Sequence, residues 1–170
     1  MTTTRLRWSA LAAFALAACT HSSANLPAID PSDDAACALD GMLLRDFPGP
    51  KAQVRFVDGK TSYFCDVMEL LGEMLAPEQH RATSSFYVQD MGRTDWQQPR
   101  GHWIAARDAL YVFDGKAQGS MGAAIASFSQ QVDAETFIRK EGGRMLRFDQ
   151  ITPAMLNSIS GGVPAHGVAH

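Results

Sequence analysis

The chain is short of the features that usually announce a biochemical activity. It has three cysteines in 170 residues, too few for a disulfide-dense scaffold. Charged residues make up only 19%, and bases do not exceed acids: 15 Lys and Arg stand against 18 Asp and Glu, a formal net charge of −3. That mildly acidic balance excludes the basic face of a typical nucleic-acid binder. The sequence has no glycine-rich phosphate loop, no Gly-x-Ser-x-Gly elbow and no Cys-x-x-Cys pair. The one His-x-x-x-His spacing, His166 with His170, carries a glycine that discourages the helix such a pair needs. His21, His80 and His102 stand alone. No apolar run reaches the roughly 20 residues of a membrane span. What is left is 46% apolar and 9% aromatic content, too apolar for disorder and ordinary for a globular body.

The N-terminus has a different character. Arg5 and Arg7 precede a short apolar core from Leu11 to Ala18, the layout of a secretion signal. It ends Leu16-Ala17-Ala18-Cys19, which resembles a lipobox. The reading expects cleavage before Cys19, lipidation of Cys19 and a mature chain anchored to a membrane by its acyl groups. Loss of residues 1–18 removes two of the 15 bases and no acid, leaving 13 against 18. The body is then expected in the periplasm. Thr20, rather than Asp, at the second mature position points to the outer membrane of a Gram-negative host.

The expected organisation is a signal peptide at 1–18, a flexible tether at 19–36, two folded units at 37–90 and 91–156, and a loose tail at 157–170. Gln53 to Val57 alternates polar and apolar like a half-buried strand, Asp58-Gly59 is a turn, and Thr61 to Phe64 is its partner strand. Val67, Leu70, Leu71 and Met74 recur at helical spacing. Asp66 is the expected N-cap, with Glu69 completing a capping box, and Pro77 ends the helix. Ser85 to Val88 follows as a strand. The second half repeats this order: a strand at Ala109 to Phe113, a turn at Asp114-Gly115 and a strand at Ile125 to Phe128. A helix then opens at Asp133 and stops at Gly142-Gly143, before a strand at Met145 to Phe148. The fold class is therefore α+β, two small repeated ββαβ-type units packed together. Neither is large enough to bury a core comfortably alone.

The residues that could carry chemistry are sulfur-bearing. With Cys19 lipidated, Cys37 and Cys65 remain. Outside the cytoplasm they could form a disulfide closing a 28-residue loop. They could equally stay free, and Cys65, just before a helix start, would then favour thiolate. Met68, Met74, Met145 and Met155 lie in apolar periods and read as core filler. Met42, Met91 and Met121 each adjoin glycine in a turn, where a thioether gains little from burial. Thiolate and thioether are the ligands Cu(I) prefers. Against this, turn methionines also fold back as lids on a core.

Several stretches together resemble the NosL family, accessory lipoproteins of nitrous oxide reductase. They are Cys37-Ala-Leu-Asp-Gly-Met42, Phe47-Pro-Gly-Pro-Lys-Ala-Gln-Val54, Phe64-Cys-Asp66, Val88-Gln-Asp-Met-Gly92, Trp103 to Val112, Gly119-Ser-Met-Gly122 and Glu141-Gly-Gly143. The resemblance spans residues 37–152. It implies a Cu(I) chaperone, not an enzyme, that delivers copper for the copper–sulfide cluster of nitrous oxide reductase. Carried over by position, it implies Cys37 with Met121, Met91 and Met42 as metal ligands, and leaves Cys65 as a possible additional thiol. Many relatives have a cysteine three residues after the first, or a methionine two after it; here Asp40 and Leu39 stand in those places. The alternatives are a thiol enzyme resembling organomercurial lyase, or a metal-free structural lipoprotein with a Cys37–Cys65 disulfide.

Overall fold

The computed structural model describes residues 25–76 and 82–159. Cys19, the signal before it, Thr20, His21, Pro77, His80 and the tail with His166 and His170 lie outside the described residues. Among those described, no helix is long and apolar enough to cross a membrane.

The architecture is α+β. β1 (Ala52–Phe56), β2 (Thr61–Phe64), β3 (Thr83–Gln89) and β4 (Trp103–Ala105) form one antiparallel sheet in the order β2-β1-β3-β4. α1 (Val67–Leu75) connects β2 to β3. β5 (Leu110–Phe113), β8 (Ala126–Phe128) and β9 (Arg144–Arg147) form a second sheet in the order β8-β5-β9, with α2 (Gln131–Glu141) between β8 and β9. In both sheets the first strand is central. A second strand pairs on one side of it, a helix follows, and the next strand returns to the other side. β6 (Gln118–Gly119) and β7 (Gly122–Ala123) make a small hairpin, and α3 (Pro153–Ile159) closes the described chain.

Local rules explain most boundaries. Asp66 caps α1 by accepting the Met68 N–H at 2.9 Å. The helix stops at Leu75 because Ala76 is extended (φ −61°, ψ 138°), as a residue before proline must be. α2 starts at Gln131, two residues ahead of the expected Asp133, and Gln130 supplies no side-chain cap. Asp133 instead falls in the first turn, where the helix dipole favours an acid. Gly142 ends α2 at φ 78°. Beside it, Gly143 sits where an added Cβ would collide with the Phe113 carbonyl oxygen.

The unit boundary at 90/91 does not match the sheets. β4 lies beyond it yet pairs with β3, and α3, which runs past residue 156, packs on α1. The cores merge as well. Val54, Leu70, Leu71 and Val88 share one apolar cluster with Tyr111, Phe113, Ile125 and Leu156. A smaller cluster of Val112, Ala126, Phe128 and Ala134 lies under α2.

Residues 25–36, expected as tether, are strapped along the first sheet. Leu26 N–H donates to Ser84 Oγ at 2.9 Å, and Tyr87 Oη donates to the Leu26 carbonyl at 2.8 Å. The Gln53 side chain accepts the Ile29 N–H at 3.0 Å and donates to the Ile29 carbonyl at 2.9 Å. Asp30 accepts from the Trp103 indole at 2.6 Å. Every residue of β1 is buried: Ala52, Val54 and Phe56 face the core, and the strap bonds Gln53, where alternation predicts one wet face. The strap satisfies the Gln53 amide, and Thr61 on β2 accepts from Arg55 Nη1, while Arg55 Nε is buried without a hydrogen-bond partner among the described residues.

Candidate metal centre

Cys37 enters the site on a tight turn. The Cys37 carbonyl accepts the Gly41 N–H at 3.0 Å, and the Cys37 N–H donates to the Met42 carbonyl at 2.8 Å. Gly41 holds φ 76° with open space around it, so glycine is required for backbone conformation rather than for room. Asp40 Oδ1 accepts the Met42 N–H at 2.9 Å and stiffens the turn. Ala38 N–H donates to the Tyr63 carbonyl at 2.8 Å, which docks this loop on β2, two residues ahead of Cys65.

Cys65 lies between β2 and α1, and both cysteines are buried and unbonded. Glu69 stands one helical turn after Cys65. Side chains on a helix lean toward its N-terminus, so the Glu69 carboxylate returns to the thiols. Its Oε2 accepts from Cys37 Sγ at 3.2 Å and lies 3.7 Å from Cys65 Sγ. The expected capping-box role of Glu69 is thus replaced by a contact with sulfur. One ligand atom from each of Cys37, Asp40, Cys65 and Glu69 lies within 4.8 Å of the others.

Burial dominates the electrostatics. It raises the Cys37 thiol above its ordinary range, and it pushes Cys65 up to about 12, with the neighbouring Glu69 and Cys37 charges adding to the effect. The expected thiolate at Cys65 is therefore overturned: desolvation outweighs the start of α1. Burial likewise raises the Asp66 carboxyl to about 6 and lowers the Lys51 ammonium to about 8. Both thiols hold their protons until a cation displaces them.

The β6–β7 hairpin reaches the site from the second half of the chain. Cys65 Sγ donates to Ser120 Oγ at 3.2 Å. Met121, its neighbour at the hairpin tip, is 57% exposed. Beside the thiols opens a groove of about 610 Å3, lined by Leu39, Asp40, Met68, Glu69, Met121 and Leu156 among others. Gly119 lets the hairpin lie this close, since a Cβ there would stand 2.9 Å from Ala124 Cβ and 3.0 Å from Asp66 Oδ2.

The sequence-derived residues separate into two groups. Cys37, Cys65 and Met42 pack in one cluster with Leu44, and Met121 stands on the same groove as Asp40 and Glu69. Met91 does not join them. Its side chain packs on Val112, Ala126, Phe128 and Ala134, and its N–H donates to the Ser127 carbonyl at 2.8 Å; it is the core lid that turn methionines can become. Glu69, Ser120 and Lys51 were not singled out from sequence as site residues. Glu69 was legible in principle, because Cys65 and Glu69 are four apart at a helix start. Ser120 was not, because its approach depends on packing between the two halves. The donors are chemically coherent: two soft sulfurs at the centre, carboxylates beside them and a thioether at the rim.

Known proteins share this arrangement of chain. The NosL family model matches residues 28–156. The copper-binding lipoprotein NosL of Stutzerimonas stutzeri is 38% identical over 164 residues, covering 94% of this chain and 85% of the relative. The copper-binding lipoprotein NosL of Achromobacter cycloclastes is 40% identical over 121 residues, covering 68% of this chain and 62% of the relative. The crystal structure of the copper chaperone NosL from Shewanella denitrificans superposes with a TM-score of 0.69 at 37% identity, covering 75% of this chain and 97% of that one. Matching motifs, matching fold and a family model spanning both sheets lead to one conclusion: the chain belongs to the NosL family.

Proposed function

We propose that this protein is a lipid-anchored periplasmic carrier of copper. In this reading it holds Cu(I) between the Cys37 and Cys65 sulfurs and passes it by ligand exchange to nitrous oxide reductase, for that enzyme's copper–sulfide cluster. The observation that carries the reading is the convergence of two buried, unbonded thiols on one carboxylate at the side of an open groove. The printed names of the relatives, copper-binding lipoprotein and copper chaperone, support it.

Thiolate and thioether ligands favour Cu(I) over harder ions. As Cu(I) enters, both thiols give up their protons to solvent, that of Cys37 by way of Glu69, which already accepts its hydrogen bond and lines the open groove. Met121 at the exposed tip and Met42 beside Cys37 supply thioether contacts. Two strong donors and weak neighbours leave the ion open to an incoming ligand, so transfer proceeds through a shared intermediate without free copper. The chemistry is exchange, and no covalent bond of a substrate is broken. The test is an anaerobic Cu(I) titration of the reduced mature protein, followed by mixing with copper-free nitrous oxide reductase. One tightly held equivalent and its appearance in the enzyme are expected. No uptake would end the carrier reading, and uptake without transfer would end the assignment of acceptor.

A thiol enzyme resembling organomercurial lyase would also need two thiols beside a carboxylate, and the same cluster offers them. Release of hydrocarbon from an organomercurial by the purified protein would favour that reading. The relatives' names point to carriage.

A further inference from the structure

Lys51, the residue before β1, is 3% exposed. Its ammonium is wrapped by backbone carbonyls: Phe47 at 2.8 Å, Pro48 and Gly49 each at 3.1 Å, and Cys65 at 3.4 Å. Gly49, at φ 81° with its N–H donated to the Trp96 carbonyl at 2.7 Å, shapes the turn that makes this cage. Among the described residues Lys51 forms no ion pair. An ammonium group is therefore held in the protein, touching the backbone of Cys65, with only dipoles in direct contact. Burying such a charge is costly. The Pro-Gly-Pro turn is folded to accommodate it.

Two thiols that bind a metal as thiolates release two protons. If the metal is monovalent, the site becomes more negative by one unit. If it is divalent, the charge does not change. A fixed positive charge beside the site stabilises the first outcome and is indifferent to the second. The other charged groups act in the opposite sense: the Asp40 and Glu69 carboxylates stand beside the thiols, and Asp66, next to Cys65 in the chain, adds a further acid close to Lys51; these alone would favour a divalent ion.

We propose that Lys51 is a valence selector, a buried charge that tilts the Cys37–Cys65 site toward a monovalent soft cation and against divalent ones. The proposal rests on the carrier reading above.

The experiment compares Lys51→Met and Asp66→Asn with the reduced wild-type protein at pH 7.5. Cu(I) is titrated against a chromogenic chelator, and Cd(II) is followed by its thiolate charge-transfer absorption. Lys51→Met keeps the length of the side chain and removes the charge. Asp66→Asn removes a neighbouring negative charge and keeps a competent N-cap. Lys51→Met is expected to weaken Cu(I) binding about tenfold or more, the effect of one modest buried charge interaction, while Cd(II) binding changes far less. Asp66→Asn is expected to shift the Cu(I)-to-Cd(II) ratio the other way. Equal weakening of both metals by Lys51→Met would overturn the proposal, because the lysine would then only hold the turn together. So would an unchanged ratio in Asp66→Asn, which decides the matter alone if Lys51→Met does not fold. Failure of the wild-type protein to bind Cu(I) would strike the carrier reading instead.

Discussion

Replacing Cys65 by serine separates metal binding from folding more cleanly than any other change at the site. Cys65 is 1% exposed, yet its sulfur is not in a purely apolar pocket: it donates to Ser120 Oγ at 3.2 Å and lies 3.8 and 3.7 Å from the two Glu69 oxygens. A serine hydroxyl placed there finds the same acceptors. The stability cost should stay near 1 kcal/mol, the scale of a hydrogen bond made with altered geometry. Metal binding loses one of two anionic sulfurs. Outer-sphere partners of a metal site are typically worth about 10–100-fold in affinity, and a directly bound thiolate should exceed that range. Cys65→Ser is therefore expected to unfold within a few degrees of wild type while losing at least about a hundredfold in Cu(I) affinity. Thermal unfolding of the copper-free protein and anaerobic chelator competition measure the two quantities side by side. Wild-type Cu(I) affinity in a folded Cys65→Ser variant would refute the two-sulfur site. Copper would then depend on Cys37 and methionine, with no part for Cys65.

Three further outcomes follow from the same geometry. Met121→Ile should weaken Cu(I) binding only a few-fold in the same competition assay, since the residue stands at the exposed rim; an effect as large as that of Cys65→Ser would make Met121 a principal ligand. Gly119→Ala should lower Cu(I) affinity at a distance, because the new Cβ meets Ala124 and Asp66 and lifts the hairpin off Cys65; crystallography of the variant would show the Cys65–Ser120 contact opened. Asp66→Asn should stabilise the metal-free protein above pH 6. The native carboxyl is raised from 3.8 to about 6 by burial, so the folded state binds the proton more tightly than the unfolded state. Wild-type stability then falls as pH rises from about 4 to about 6, by roughly 3 kcal/mol for a shift of this size. The variant's stability should be flat through that window, and parallel denaturation curves for the two proteins would contradict the assignment.

Six of the nine described strands, both main helices and their order are legible because each rests on a local pattern: Asp58-Gly59 between β1 and β2, Asp66 before Val67, Gly142 after Glu141. What escaped depends on contacts distant in sequence. β1 alternates like a half-wet strand, and nothing in residues 52–56 announces that Ile29 will cover Gln53. β4 is three residues long and pairs backward across a long loop, so a boundary drawn from spacing cut it from its sheet. At the site, Cys37 and Cys65 were readable as candidates because cysteine is rare here. Glu69 was misassigned because one residue satisfied two local rules. A carboxylate at the third helical position fits a capping box, and a carboxylate four after a cysteine fits a metal site; only the position of Cys37 decides between them. Met91 and Met121 have the same sequence surroundings, a glycine in a turn. They differ only in whether the turn faces α2 or the groove.

The strap on the first sheet also sets how far the body can stray from a membrane. Among the described residues its first bond is made by Leu26, seven residues after Cys19. Seven residues stretch at most about 25 Å. With acyl groups on Cys19, as the lipobox implies, the body would be held within a thin layer at the bilayer surface.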